Sequence, residues 1–397
     1  MNVEDIVKSQ NCAGCSACSF ICPVGAIEIK ENPEGFLTPF IKGGKCINCS
    51  KCVQACPAKN YDRIKHSIRD SKCFIVQSKS PERKRSASGA VFYTIAADVL
   101  KGGGAVFGAA FCEDNTVRHI CVIDKDSLWR LQNSKYVQSN IGDTFIQAQD
   151  QLSEGKTVLF SGTPCQIAGL YAFLGKEYEN LITIDIICHG VPSPKLLRRQ
   201  LEEESKSWQG KVKKVSFRYK NPIFKSPSSF YMIMMMRFLP KIRRPADDPY
   251  FNIFLKGYAF RESCYTCSYA SPNRVGDFTL GDCDSHRLYP NFHPYESNST
   301  VIVNTPKALK LWDNTINKLC DYSDLDIDEE IKKNKQLGHP SERPENRNFV
   351  YEDLENMTWS EFSKKYANRQ SVIGKIRTYC ALFMPSFIIR IWGKLHG

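Results

Sequence analysis

Histidine is scarce in this sequence, seven in 397 residues, and none stands among the first sixty. That removes the mixed Cys/His zinc arrangements from the N-terminal end. No apolar run reaches the roughly 18 residues that a membrane-spanning helix needs. The opening stretch MNVEDIVKSQ has neither the basic n-region nor the apolar h-region of a secretory signal, so no extracellular disulfide framework is expected. No nucleic-acid partner is expected either. The formal charge of +12 counts every cysteine as neutral, and thiolate clusters or a phosphorylated cofactor offset it. The basic runs at 81–85, 195–199 and 241–244 read as solvated faces, or as contacts for an anionic cofactor or acidic partner.

What abounds is cysteine, 18 in all. In a reducing, cytoplasmic setting that number points to metal binding. The segments CAGCSACSFICP, from Cys12, and CINCSKCVQACP, from Cys46, both follow C-x2-C-x2-C-x3-C-P. This is the spacing of two-cluster bacterial ferredoxins, in which three cysteines wrap one iron–sulfur cube and the fourth crosses to the other. Cys12, Cys15 and Cys18 with Cys56 are assigned to one 4Fe-4S cluster, and Cys46, Cys49 and Cys52 with Cys22 to the second. Pro23 and Pro57 redirect the chain, and Gly14 gives the first loop room. Zinc is the competing metal, but two matched four-cysteine runs without histidine favour the cubes. Such a module carries single electrons, so the residues beyond it must give or receive them.

Residues 69–89 mix a strand-like piece, CFIVQ, with a basic, serine-rich connector. A helix is expected over 90–100, with Ser88 and Gly89 as N-cap candidates, and a strand over 105–111. The helix start SASGAVF can bind a phosphate through free N–H groups or be simply capped, and no G-x-G-x-x-G accompanies it. In KTVLFSGTPCQIAGLYAFL an apolar strand stops at 161–164 and a helix begins near Cys165. LITIDIICHGVPSP ends likewise, at Cys188, His189 and Gly190. Such alternation predicts a largely parallel α/β sheet whose ligands gather at the carboxyl ends of the strands. Further on, FRESCYTCSYASPNRVGDFTLGDCD supplies Cys264 and Cys267, which need partner ligands from elsewhere.

The motifs KYVQS, FSGTPCQIAGL, ICHGVPSP, FRESCYTCSYA and RVGDFTLGD together resemble the coenzyme F-420 hydrogenase/dehydrogenase beta subunit family, including relatives fused to a ferredoxin. The likeness runs over about residues 84–284. It implies a flavoprotein with FAD in an α/β domain, converting between a hydride and single electrons. Carried over residue by residue, Ser86, Ser88, Gly89, Ser134, Lys135, Ser161, Gly162, Thr163 and Gln166 would surround the flavin or its phosphates. The resemblance also suggests that Cys165 and Cys188 join Cys264 and Cys267 around a third 4Fe-4S cluster; the alternative is two small buried thiols at strand ends. Two positions depart from the pattern: Ala90 where many relatives have glycine, and Cys283 where an aromatic is usual, which adds an alternate ligand.

The fold expected is an α+β ferredoxin-like two-cluster module followed by a larger α/β flavin-binding domain with a mainly parallel or mixed sheet. The divisions are 1–62, a connector over 63–85, the flavin domain over 86–340, and a polar then amphipathic extension over 341–397. His189 is the one candidate for proton donation, its plainer role being to line a pocket. Asp277 and Asp282 are expected to orient Arg274 or Arg261, or to cap turns. FYMIMMMRF reads as a buried strand, not a copper site. Residues 371–397 either dock on the protein or lie peripherally in a membrane interface. The expected activity passes electrons between the clusters and FAD and exchanges hydride with coenzyme F-420 or another organic carrier, with a soluble protein as electron donor or acceptor. The alternatives are a ferredoxin-dependent flavin reductase of another metabolite and a non-catalytic electron-transfer subunit.

Overall fold

A computed structural model describes residues 2–60, 65–207, 210–220, 231–235, 240–243, 245–292 and 297–367. The segment 371–397 lies outside them, as do Phe230 and residues 236–238 of the methionine-rich stretch.

The N-terminal module repeats in space what it repeats in sequence. Helix α1 (Val3–Lys8) starts at Asn2, which forms a capping box with Asp5. Helices α2 (Ala17–Phe20) and α3 (Lys51–Gln54) each follow a cysteine loop, and each is entered through a left-handed serine, Ser16 at φ 66° and Ser50 at φ 59°. Gly14 (φ 68°) and Asn48 (φ 56°), two residues earlier in the matched runs, are left-handed as well. Glycine and asparagine tolerate that conformation best. Between the loops, β1 (Ile27–Glu31) and β2 (Leu37–Ile41) form an antiparallel hairpin with Ile27 opposite Ile41. Val3, Cys18, Ile27 and Cys52 make its small core.

The rest is built on an eight-stranded mixed sheet. Its strands are β3 (Lys72–Ser78), β4 (Ala105–Phe111), β5 (Val117–Val122), β6 (Val158–Gly162), β7 (Leu181–Ile186) and, beyond a smaller sheet, β11 (Phe278–Asp282), β12 (Ser299–Val303) and β13 (Cys320–Asp324). The smaller antiparallel sheet is β8 (Lys214–Tyr219), β9 (Tyr231–Met235) and β10 (Pro240–Arg243). The large sheet runs β13-β3-β12-β11-β7-β6-β4-β5, with β11, β7, β6 and β4 parallel at its centre and antiparallel strands outside. Side chains of the central strands alternate between two buried layers, as a period of two requires. Leu159 packs with α4 (Val91–Lys101), while Val158 and Phe160 pack with α5 (Thr144–Ser153) and α6 (Pro164–Leu174).

Two expected boundaries shift. The connector over 63–85 contains β3, which pairs with β12 and β13, because CFIVQ is apolar enough to be an inner strand. The extension beyond 341 is not all surface. A third core unites α7 (Pro194–Ser207) and α8 (Pro249–Leu255) with α12 (Val350–Asn356) and α13 (Trp359–Tyr366), burying Val350, Leu354, Phe362 and Tyr366. Those residues sit four apart in pairs, enough to make one apolar face on a short helix. Before them, α9 (Pro306–Leu311) packs on the sheet, and α10 (Ile327–Lys333) and α11 (Lys335–Gly338) follow β13. Among the described residues no helix is long and apolar enough to cross a membrane.

Candidate functional site

The turn from β6 to α6 is fixed from behind. The Thr163 N–H donates to Gln166 Oε1 at 3.0 Å, a capping-box bond, and Pro164 occupies the first helical turn, where it needs no N–H partner. Gln166 Nε2 donates to Ser139 Oγ (3.0 Å), Ser139 lies 3.0 Å from His119 Nδ1, and His119 Nε2 lies 3.1 Å from the Ser161 carbonyl. A carbonyl can only accept, so Nε2 carries the proton and Nδ1 accepts from Ser139. Burial pushes His119 down to about 4, which keeps this neutral tautomer. Ser161 turns its hydroxyl onto the Phe107 carbonyl at 3.0 Å. Sequence reasoning missed His119. It sits on the edge-side strand β5, 42 residues before its partner, with no local motif.

The second wall is the segment entering α4. Ser88 and Gly89 do not cap this helix. The N-cap is Ala90, left-handed at φ 66° and without a side-chain cap bond, because the Ser88 hydroxyl donates instead to the Asn298 carbonyl at 2.6 Å. The Gly89 N–H donates to Ser299 Oγ (2.9 Å), and a Cβ there would stand 2.4 Å from the Val76 carbonyl. Lys220 donates to the carbonyls of Ser88 (3.1 Å) and Arg83 (3.3 Å), and burial lowers it to about 7. Ser86 accepts from Gln132 Nε2 at 3.2 Å, leaving the buried Gln132 Oε1 without a partner. The third wall holds Ser134 and Lys135. The Lys135 ammonium donates to the Gln132 carbonyl at 2.8 Å, and burial lowers it to about 7.

These walls enclose a cavity of about 470 Å³, and Cys165, Cys188, Cys264 and Cys267 line it too. Cys165 is in the first turn of α6, Cys188 lies two residues past β7, Cys264 ends a short helical turn after α8, and Cys267 lies in the loop three residues further on. Each of these thiols lies close enough to feel the others' charge. Burial and the neighbouring thiols raise Cys165 to about 11 and Cys264 to about 12. Cys12, Cys15, Cys18 and Cys56 form a similar group in the N-terminal module. Cys52 feels Cys49, Cys22 packs beside Cys52, and Cys46 Sγ is 3.7 Å from Asn48 Oδ1. Every described cysteine is free. Among the described residues no three or more His, Cys, Asp or Glu side chains converge as ligands of a single ion must. Four thiols on one cavity wall could each take one iron corner of a cube.

His189 lines the cavity with its pKa lowered by burial, near Asp282, which is paired with Arg218. Asp284, also on the wall, is raised to about 6 by burial and by the charges of Glu330 and Asp282. Asp277 and Asp282 do not orient Arg274, whose partner is Asp185 at 2.8 Å; Asp277 instead accepts from the Thr183 N–H. Cys283 stands away from the four thiols. It packs with Ile75, Phe292 and Leu325, its sulfur 3.7 Å from Glu330.

A thiol-rich module is thus docked on a mixed α/β domain. Residues 11–60 match the family model described as 4Fe-4S dicluster domain. Residues 155–326 match the one that describes the C terminus of the coenzyme F420 hydrogenase/dehydrogenase beta subunit. The chain thus joins an iron–sulfur electron-transfer domain to a domain of the beta-subunit type. Among solved structures, one chain of the F420-reducing [NiFe] hydrogenase complex from Methanosarcina barkeri is 15% identical. That match covers 68% of this chain and 91% of that one, with a TM-score of 0.44. No curated protein matches the chain.

Proposed function

We propose that the protein is an iron–sulfur flavoenzyme that passes electrons between its N-terminal 4Fe-4S clusters, a third cluster on Cys165, Cys188, Cys264 and Cys267, and FAD in the cavity. Hydride is exchanged there with coenzyme F-420 or a similar organic carrier. The observation that carries this reading is the shared wall: four grouped thiols and three polar loops line one cavity at the carboxyl ends of β6, β7 and β11. The residues present fit a flavin dinucleotide. The start of α4 has no side-chain cap and offers N–H groups and a positive dipole end to a phosphate. Gln132 Oε1 is a buried acceptor in need of a donor, and Lys135 stands on the same cavity wall as a hydrogen-bond donor. When bound, FAD would supply the conversion between a two-electron hydride and one-electron carriers.

The protein's own groups have narrower tasks. The small residues at 161–163 let a ligand approach the sheet edge, and the Gln166–Ser139–His119 relay keeps that edge rigid. The Asp284 carboxyl, raised to about 6, holds or releases a proton at the cavity wall, with His189 alongside.

Iron and sulfide analysis after anaerobic reconstitution tests the proposal. About twelve irons per chain, falling to about eight in Cys264→Ser, support the third cluster, and about eight in the native chain refute it. A yellow chromophore released on denaturation tests the flavin. If bound flavin stays oxidised when mixed anaerobically with reduced deazaflavin, the exchange with coenzyme F-420 fails.

A further inference from the structure

The two N-terminal thiol groups differ in where they face. The group of Cys12, Cys15, Cys18 and Cys56 is docked inward. The Cys12 carbonyl accepts from Arg261 Nη1 (3.3 Å) and Ser263 Oγ (3.0 Å), and Tyr269 Oη donates to the Pro57 carbonyl at 3.0 Å. Gly169 of α6 lies so near Cys15 that an added Cβ would stand 3.0 Å from its sulfur. The loop with Cys46, Cys49 and Cys52 points the other way: Cys49 is exposed, and Ile47 beside it is 60% exposed.

Charge follows the same axis. The acids Glu31 and Glu34 of the hairpin are taken up by the large domain, each gripped by two bonds, from Arg198 and Arg347. From Leu37 to Asn60 the chain has no Asp or Glu but four lysines, Lys42, Lys45, Lys51 and Lys59, all exposed. Among the described residues none of the four meets a carboxylate within salt-bridge range. Lys42 leans on the Gly25 carbonyl at 3.4 Å, next to the 44% exposed Val24. An apolar centre with a rim of unpaired cations is the complement of an acidic protein surface.

We infer that the face around Cys49 and Ile47 is the docking site of an acidic one-electron carrier protein of the ferredoxin type. This rests on reading the N-terminal thiols as two clusters. One electron leaves the reduced carrier and reduces the cluster of the outer loop; from there it moves to the inner group, which contacts α6 and the loop of Cys264 and Cys267. The lysines steer encounter, and Ile47 makes the dry contact.

Stopped-flow mixing with a reduced plant-type [2Fe–2S] ferredoxin, an acidic protein, tests this. Reduced methyl viologen, a small cation, is the control donor. The native rate with the ferredoxin is expected to fall as salt rises from about 0.01 to 0.15 M, since the Debye length shrinks to about 8 Å. The triple variant Lys42→Glu, Lys45→Glu, Lys51→Glu is expected to react about tenfold or more slowly with the ferredoxin at low salt, with native iron content and no slowing with methyl viologen. An unchanged ferredoxin rate overturns the inference, as does equal slowing with both donors. Cluster reduction is read in the N-terminal module itself, so an absent flavin or third cluster leaves the assay intact.

Discussion

Asp185 is the residue whose loss should do most to the thiol-bearing loop. It is fully buried in β7 and accepts three bonds from the segment beyond Cys267: from Arg274 Nη2 at 2.8 Å, and from the N–H groups of Val275 (2.9 Å) and Gly276 (2.8 Å). The guanidinium, 1% exposed, also donates to the carbonyls of Tyr269, Ser271 and Ile186. The pair thus ties the loop of Cys264 and Cys267 to the strand that leads to Cys188. Asp185→Ala strands a buried cation, at a cost of about 3–5 kcal/mol. It also orphans two buried N–H groups, at about 1–3 kcal/mol each. These costs overlap, and about 4 kcal/mol is a fair net figure for local opening. At roughly 1.4 kcal/mol per decade that is close to a thousandfold.

Amide hydrogen exchange of peptides spanning 264–277 measures it, under conditions where exchange follows the opening equilibrium. Exchange in Asp185→Ala should quicken by about 100- to 1,000-fold, or up to the limit set by global unfolding. The double variant Asp185→Leu, Arg274→Met removes both charges and should recover most of the protection, as apolar replacement of buried pairs often does. Acceleration below about tenfold in the single variant refutes the reasoning, as does a double variant that loses the sum of its singles.

Four further outcomes are expected. Folded His119 titrates near 4 rather than 6.5, so between those values the unfolded chain binds the extra proton; stability is complete above pH 6.5 and falls by about 3 kcal/mol on the way to pH 4. His119→Gln should flatten that part of a stability–pH curve, and an unchanged slope counts against the neutral tautomer. Gly169→Ala places a Cβ 2.9 Å from that of Cys15 and should cost about 1–3 kcal/mol, seen as a lower thermal midpoint. Arg347→Ala breaks the buried clamp on Glu34 and should weaken module docking by about 2–5 kcal/mol, read as faster proteolytic release of the N-terminal module. The more exposed Arg343–Glu262 pair, removed by Arg343→Ala, should matter by only about 0–1 kcal/mol.

The eight N-terminal cysteines were legible because their ligand loops are local. Matched spacing forces matched geometry, down to the left-handed pairs Gly14/Asn48 and Ser16/Ser50. The β6–α6 turn was legible for the same reason, since T-P-x-Q writes its own cap. The gathering of Cys165 and Cys188 with Cys264 and Cys267 was not written in any spacing. It depends on β11 pairing beside β7 rather than beside its sequence neighbour β10, and only resemblance suggested it. Ser88 failed as a cap because a carbonyl 210 residues away competes for its hydroxyl. The C-terminal helices hid their burial in short apolar pairs that a polar composition masks. His119 had no signal at all, because its partners come from other strands and loops.

One arrangement joins these parts. The parallel order β11-β7-β6 brings three carboxyl ends side by side, so thiols separated by about a hundred residues share one wall with the loops that could hold an anionic cofactor. The N-terminal module docks on the outer side of that wall, at Gly169 and Tyr269, and Tyr269 lies near Cys15 and Cys56 of one group and near Cys165 and Cys267 of the other. Two of its acids, Glu31 and Glu34, are taken up in that docking, while Lys42, Lys45, Lys51 and Lys59 stay exposed. The arginines that hold Glu31 and Glu34 fix the module inward and leave the loop of Cys46, Cys49 and Cys52 cationic, so on the proposed reading the chain of thiol groups would have an outer end for a protein and an inner end for a small molecule.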